Sequence, residues 1–104
     1  MQQFIYPAIF YIDEDETKVY FPDLDISTSG DNYDEAFLFA KELLKVYFLY
    51  AISNDLDFNF PSSFNDIKNK CTGKEVPLLI DTVIAPADIK VFARFSLDIK
   101  TWLC

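Results

Sequence analysis

The sequence contains no histidine and only two glycines among its 104 residues, and these absences exclude much of the chemistry that small enzymes use. Histidine is the commonest general base and a common zinc ligand, so the serines and cysteines lack their usual activating base and zinc sites of the usual type are excluded. Gly30 and Gly73 alone cannot form a phosphate-binding loop. We therefore predict no catalytic site, no metal site and no cofactor.

Cysteine, positive charge and long apolar runs are also scarce. Cys71 and Cys104 fit no Cys-x-x-Cys pattern, and we expect a reduced, cytoplasmic protein. No stretch approaches the roughly 18–20 apolar residues of a membrane span, and the first residues lack the charge of a signal peptide. The formal net charge of −8 argues against nucleic acid or an anionic membrane as the main partner and favours a basic one.

Hydrophobic residues are abundant, at 51% of the chain, and aromatic residues make up 17%. This is ample for the core of one domain. Residues 4–12 and 18–21 have the composition of two strands joined by a polar turn, and residues 25–29 predict a third, shorter strand. Pro7 suggests that the first strand lies at an edge of the sheet. Asn32 and Glu35 have the spacing of a capping box and predict the start of a long helix.

This helix is apolar over most of its circumference. At about 100° per residue, one broad face is expected to cover the sheet, and it consists of Ala36, Phe37, Ala40, Leu43, Leu44, Tyr47, Phe48 and Ala51. Leu38 and Leu49 share the polar side, while Phe39, Val46 and Tyr50 widen the apolar stripe. Two explanations stay open, namely scattered surface hydrophobic residues, which are normal, or a second binding face.

The rest of the chain predicts shorter elements. Residues 64–69 suggest a helical turn, and the apolar run of residues 77–85 predicts a buried strand. Residues 89–97 alternate with a period of two, which predicts a further strand. We therefore divide the chain into a domain of residues 1–88 and a C-terminal segment of residues 89–104, a strand followed by little more than one turn.

The many aspartates near the first turn raise the question of a calcium loop. Counted from Asp13, the sixth position of such a loop is Lys18 instead of glycine, and the twelfth is Leu24 instead of glutamate. Paired carboxylates also support hydrolysis in some enzymes. Acidic turns and helix caps explain these residues more simply, so we favour a structural role.

Several short motifs resemble the amino-terminal domain of HicB-like antitoxins over roughly residues 4–97. In chain order they are Tyr6-Pro7-Ala8, Phe21-Pro22-Asp23-Leu24, Gly30-Asp31, Glu35-Ala36, Phe60-Pro61-Ser62-Ser63 and the apolar run VPLLIDTVI. The combination is more specific than any one motif. The family usually has Pro-Gly after Phe-Pro-Asp-Leu, where this chain has Asp25-Ile26.

The resemblance implies an α+β fold in which a three-stranded antiparallel sheet carries one long amphipathic helix and a following strand. This β-β-β-α-β arrangement is similar to part of an RNase H fold. The implied function is an antitoxin that neutralises a small basic, mRNA-cleaving HicA-like toxin, forms oligomers and represses its own operon. Two alternatives stay open: an oligomerisation module without a toxin and, less favoured, a metal-dependent nuclease.

The C-terminal segment resembles the beginning of a ribbon-helix-helix unit, which needs a strand and two helices. Because the chain stops at Cys104, we expect a shortened unit, association into a two-fold dimer and poor operator binding. The candidate dimerisation residues are Val91, Ala93, Phe95 and Leu97. The candidate DNA-contacting residues are Lys90, Arg94 and Ser96, although ordinary outward polar residues are the preferred explanation.

Candidate toxin contacts come from the acidic loops and from the helix. They are Asp13, Glu14, Asp15, Glu16, Asp23, Asp25, Leu38 and Leu49. Complementary charge on a basic partner accelerates association and favours the correct partner.

Overall fold

The computed structural model describes residues 2–92, which form one four-stranded antiparallel sheet and three helices. The spatial strand order is β3-β2-β1-β4. The expected α+β class and β-β-β-α-β order are confirmed. In chain order the elements are β1 Gln2–Ile12, β2 Thr17–Phe21, β3 Ile26–Gly30, α1 Tyr33–Ser53, α2 Phe64–Lys70, β4 Glu75–Ile84 and a helical segment, α3, over residues 86–92.

Strand β1 is central, so the edge position predicted from Pro7 is wrong. The strand pairs with β4 along most of its length, but with β2 only from Ile9 to Ile12. Pro7 precedes the part that pairs with β2, and the strand has no neighbour on that side there. A strand tolerates proline where one side makes no ladder hydrogen bonds.

Helix α1 packs on one face of the sheet. Side chains alternate between the two faces of a strand, and the even-numbered residues of β1 from Phe4 to Phe10 lie on the face that α1 covers. The ring of Phe48 stacks on Phe4 with centroids 3.9 Å apart and meets Phe58 edge-on at 4.9 Å. Such aromatic pairs add about 0.5–1.5 kcal/mol each beyond the area they bury. The core is therefore strongest where the second half of α1 crosses β1.

The first turn of α1 lies directly against the end of β3. Asn32 caps the helix by accepting a hydrogen bond from the Glu35 N–H at 2.9 Å, as the capping box predicts. A Cβ atom on Gly30 would lie 2.5 Å from the Ala36 nitrogen. Gly30 is thus required for the close approach of strand and helix.

The second face of the sheet is covered only in part. Pro7 and Ile9 point away from α1 by the alternation of β1, yet both are buried. Helix α2 lies against β4 and β1, and its Ile67 is buried, so α2 supplies this cover. Past α2 the same face exposes Ile5, Leu79 and Val83.

Strand β4 is an edge strand, and the prediction of a buried strand is only half correct. Within residues 2–92 it pairs with β1 alone, and its burial alternates. Ile80 and Ile84 are buried under α1. Val76 is exposed, and so are Leu79 and Val83 of the second face. An apolar run of this length therefore did not require burial on both sides.

Residues 86–92 are helical, so the strand predicted from residue 89 onward is wrong for residues 89–92. Pro86 occupies the first helical position, and the Asp88 carboxylate accepts a hydrogen bond from the Ala85 N–H at 2.9 Å. Ile89 and Phe92, three residues apart, pack against the core. These helix-start signals outweigh the short alternation on which the prediction rested.

The candidate residues of that strand change their setting accordingly. Lys90 and Val91 lie on α3. They are therefore not on the two opposite faces of a strand, as the DNA-contacting and dimerisation assignments required. The other candidates lie outside the described residues, namely Ala93, Arg94, Phe95, Ser96 and Leu97.

We expect Gly30→Ala to lower the free energy of unfolding by about 1–3 kcal/mol, because the added methyl group must push the helix backbone away from β3. Urea denaturation followed by circular dichroism measures this change. The matched control is Ser29→Ala, at an exposed neighbouring position, which should change the value by less than about 0.5 kcal/mol. Equal stabilities for the two variants would contradict the close contact.

Candidate partner-binding surfaces

The acidic turn between β1 and β2 is held by its own polar groups. The Asp13 N–H donates to the Glu16 carbonyl at 3.0 Å, and the Asp13 carboxylate accepts from the Glu14 N–H at 2.8 Å. Glu16 pairs with Lys18 at 3.6 Å, and both side chains are well exposed. Exposed pairs of this kind contribute little stability. Asp13, Glu14 and Asp15 remain exposed at the tip.

A shallow cleft of about 540 Å³ lies beside this turn. The pairing of β1 with β4 brings Lys74 and Glu75 to it. Glu75 accepts hydrogen bonds from the Thr72 N–H at 2.7 Å and the Thr72 hydroxyl at 2.9 Å, and these bonds lower the pKa of Glu75. The cleft is lined by both acidic and basic residues, so it is not a uniformly acidic site. The lining residues are Tyr11, Ile12, Asp13, Glu16, Lys18, Lys74 and Glu75.

Asp23, another candidate contact, instead anchors the loop between α1 and α2. Its carboxylate accepts hydrogen bonds from the N–H of Ser62, at 2.9 Å, and from the Ser62 hydroxyl. The Asp23 carbonyl accepts from the side-chain amide of Asn59 at 3.0 Å. These bonds span 36 and 39 residues of sequence. Asp23 is therefore occupied within the chain, and a structural role accounts for it.

The buried end of this network is Tyr6. Its hydroxyl donates to the Asn59 carbonyl at 2.7 Å, and the residue is almost fully buried. Burial, with smaller contributions from Tyr47 and Asp23, raises the pKa of Tyr6 from 10.0 to about 12. The network thus links the core to the loop.

Asp25 also has a local role, in the turn between β2 and β3. It adopts a φ of 53°, in the left-handed region, which aspartate tolerates better than most residues. Its N–H donates to the Phe21 carbonyl at 2.9 Å, and its carboxylate accepts from the Tyr20 hydroxyl at 3.0 Å. The turn therefore forms without the Pro-Gly of the resembled family.

The structure separates the two leucines that we placed on one exposed side of α1. Leu38 is 61% exposed, as expected, but Leu49 is only 8% exposed and belongs to the core. Leu49, Val91 and Phe92 line one small pocket, so α3 lies over Leu49. The expectation that Leu49 is exposed was wrong because its burial depends on the helix at residues 86–92, where we had predicted a strand from residue 89 onward.

Instead, α1 exposes a broader surface, which we call the outer face. Val46 and Tyr50 are each 52% exposed, and Phe39 is 40% exposed. At 100° per residue they lie within one third of the helix circumference, together with Leu38. The outer face is defined as Leu38, Phe39, Val46 and Tyr50, with Glu35 and Glu42 between them. The apolar stripe of this helix in the sequence indicated that such a face exists.

The two lysines of α1 border the outer face on the side of β4, where they line one shallow pocket together with Glu42. Lys41 pairs with Asp81 of β4 at 3.6 Å, and Lys45 pairs with Asp88 of α3 at 3.7 Å. The charges on the outer face are therefore acidic only. Glu35 is partly engaged, because its carboxylate accepts from the Asp31 N–H at 3.2 Å.

Within residues 2–92, no three acidic or cysteine side chains are arranged to hold a metal ion. In the same residues, no helix has the length and apolar character needed to cross a membrane. The candidate toxin contacts thus divide into the exposed turn tip, two aspartates with internal roles, exposed Leu38 and buried Leu49. They do not form one surface.

Comparison with known proteins gives one similarity of fold. A chain of a solved structure described as a toxin–antitoxin complex from Streptococcus pneumoniae superimposes with a TM-score of 0.64 at 20% sequence identity. The match covers 98% of this chain and 97% of that chain. No family model matches the sequence, and no curated protein matches it. The similarity therefore establishes a shared fold over nearly the whole chain.

We expect Tyr6→Phe to remove a pH-dependent part of the stability. The raised pKa means that the folded state holds the Tyr6 proton more tightly than the unfolded state does. This contribution is complete below pH 10 and is lost as the pH rises from 10 to about 12. The loss should reach about 2–3 kcal/mol, since one pKa unit is about 1.4 kcal/mol.

Urea denaturation of both proteins across this pH range measures the difference. Below pH 10, Tyr6→Phe should be about 1 kcal/mol less stable than the wild type because the hydrogen bond is missing. As the pH rises toward 12, the wild type should lose this difference in the free energy of unfolding. Parallel curves for the two proteins would contradict the assignment.

At the β2–β3 turn, Asp25→Ala should destabilise the fold by about 1 kcal/mol, because alanine disfavours positive φ. Asp25→Gly should be close to neutral, since glycine adopts that conformation freely. Thermal unfolding of both variants tests this, with Tyr20→Phe reporting the lost side-chain hydrogen bond alone. A glycine variant as unstable as the alanine variant would show that the hydrogen bond matters and the backbone does not.

Proposed function

We propose that this chain is an antitoxin of a toxin–antitoxin pair and that it acts by binding a small basic protein. The observation that carries the proposal is the shared fold, over nearly its whole length, with a chain of a toxin–antitoxin complex. The HicB-like motifs of the sequence support the same function independently. Asp23 and Ser62 belong to two of these motifs and bond to each other across the fold, so the motifs are joined in space.

The charge of the chain supports a basic partner. The net charge of −8 gives the protein a field that attracts a cationic protein and repels nucleic acid. In this proposal the toxin is a HicA-like protein that cleaves mRNA, and the antitoxin inhibits it by association in the cytoplasm. The chain itself is then not an enzyme.

The two alternatives have less support. A metal-dependent nuclease needs clustered carboxylates, and residues 2–92 bring no three together in a suitable group. An oligomerisation module without a toxin would need no complementary basic partner. Association of the chain with itself, and weak binding to its own operator, stay predictions.

We expect a small basic protein that contains a histidine to be encoded beside this chain, and the test is growth rescue by co-expression of the two. We expect that protein alone to arrest growth, and co-expression of this chain to restore it. A toxin variant with its histidine replaced by alanine allows the pair to be purified, and a stable complex should elute as one species. Continued arrest with both proteins expressed, or no complex at micromolar concentration, would refute the antitoxin function.

A further inference from the structure

We propose that the outer face of α1 is the surface that binds the toxin, through an apolar patch on the toxin bordered by lysine or arginine. This inference rests on the proposed antitoxin function and assigns it a surface. It concerns four apolar residues and two glutamates on a single helix. The acidic turns and the C-terminal segment play no part in it.

The first argument is that α1 is apolar over most of its circumference. A helix that covers a sheet normally presents a polar face to water, and a helix that is apolar all around is normally buried all around. The inner side of α1 packs on the sheet, and α3 covers Leu49. Among the described residues nothing covers Leu38, Val46 or Tyr50, each more than half exposed.

The second argument is the shape and length of this surface. Phe39, Val46 and Tyr50 follow one another at intervals of seven and four residues, which keeps them on one side of a helix. From Leu38 to Tyr50 the face extends about 18 Å along the axis, at 1.5 Å per residue. It lies on a rigid helix that the core holds by stacked aromatic rings, so its side chains are pre-positioned for a partner.

The third argument, charge, identifies the kind of partner. Glu42 lies in the middle of the face and has no ion-pair partner within residues 2–92. The last turn of α1 contains no basic residue, so the negative end of the helix dipole is not neutralised. Asp55 and Asp57 follow immediately and are exposed. A partner with positive charge around an apolar patch complements all of these groups.

The same charges argue against a second copy of this chain as the occupant. In a two-fold pairing of outer faces, Glu42 and its neighbours would face the same acidic groups of the other copy. The lysines that border this face, Lys41 and Lys45, are already paired with Asp81 and Asp88. Like charges in contact disfavour an interface.

The other apolar patch of the described chain fits a basic partner less well. Ile5, Leu79 and Val83 form a smaller group on the second face of the sheet. Asp81 is the acidic residue next to them, and Lys41 already pairs with it. The outer face of α1 combines four exposed apolar side chains with Glu42, which lacks an ion-pair partner in residues 2–92.

The test measures the affinity of variants for the histidine-to-alanine form of the neighbouring basic protein, by calorimetry. We expect Val46→Lys and Glu42→Lys each to weaken binding by about tenfold or more, since the first places a charge in the apolar patch and the second reverses the central charge. Both positions are exposed and helical, and lysine is a good helix former. Circular dichroism should show unchanged folds.

The matched control is Asp66→Lys in α2. It changes the net charge by the same amount as Glu42→Lys at an exposed position away from α1. We expect it to weaken binding by less than about threefold, through long-range attraction alone. Leu79→Thr on the second face of the sheet should leave the affinity unchanged.

The possible outcomes distinguish an incorrect binding surface from an incorrect function. If the wild type binds and Glu42→Lys and Val46→Lys bind equally well, the surface is wrong and the antitoxin function stands. If the wild type does not bind, both are wrong. If Val46→Lys converts a wild-type dimer to a monomer in light scattering without loss of toxin affinity, the outer face belongs to a second copy, and the proposal is overturned.

Discussion

Every part of this fold depends on how the long helix α1 is covered, because α1 is apolar on nearly all sides. The sheet covers its inner side, where Phe48 stacks on Phe4, and α3 covers Leu49. Gly30 lets the first turn approach β3 closely enough for the buried contacts behind it to form. The position of α1 thus fixes both the core and the outer face.

A second constraint holds the loop that returns the chain to the sheet. The hydrogen bonds that Ser62 and Asn59 donate to Asp23 fix the second half of this loop, and the Tyr6 hydroxyl binds it from inside. Because these groups are satisfied within the chain, they are poor candidates for contact with a partner. The acidic residues of this protein therefore have different roles: some maintain the fold, and others set the surface charge.

The sequence predicted the strands and α1 well, because these elements have strong signals. The period of the apolar residues and the Asn32–Glu35 cap placed the start of α1 correctly. The position of Pro7 was misjudged, because proline is tolerated both at an edge and in a central strand whose neighbour is too short to reach it. The C-terminal strand was wrong over residues 89–92, where the alternation was brief and the Pro86 and Asp88 start signals were overlooked.

The surface was harder to predict than the fold. Burial of Leu49 depends on α3, which is distant in sequence, so the helical pattern alone could not distinguish it from Leu38. The internal roles of Asp23 and Asp25 likewise depend on tertiary contacts and on backbone angles. The extra apolar stripe on α1 was visible in the sequence, but only the structure shows which part of it stays exposed.

The edge position of β4 has a consequence for solubility. Its Leu78-Leu79-Ile80 run has the composition of a segment that adds to the edge of another sheet, which is a common start of aggregation. Pro77 interrupts this run on one side because it has no N–H to donate, and the charge of Asp81 stands on the other side. Residues of these two kinds disfavour the addition of another strand at a sheet edge.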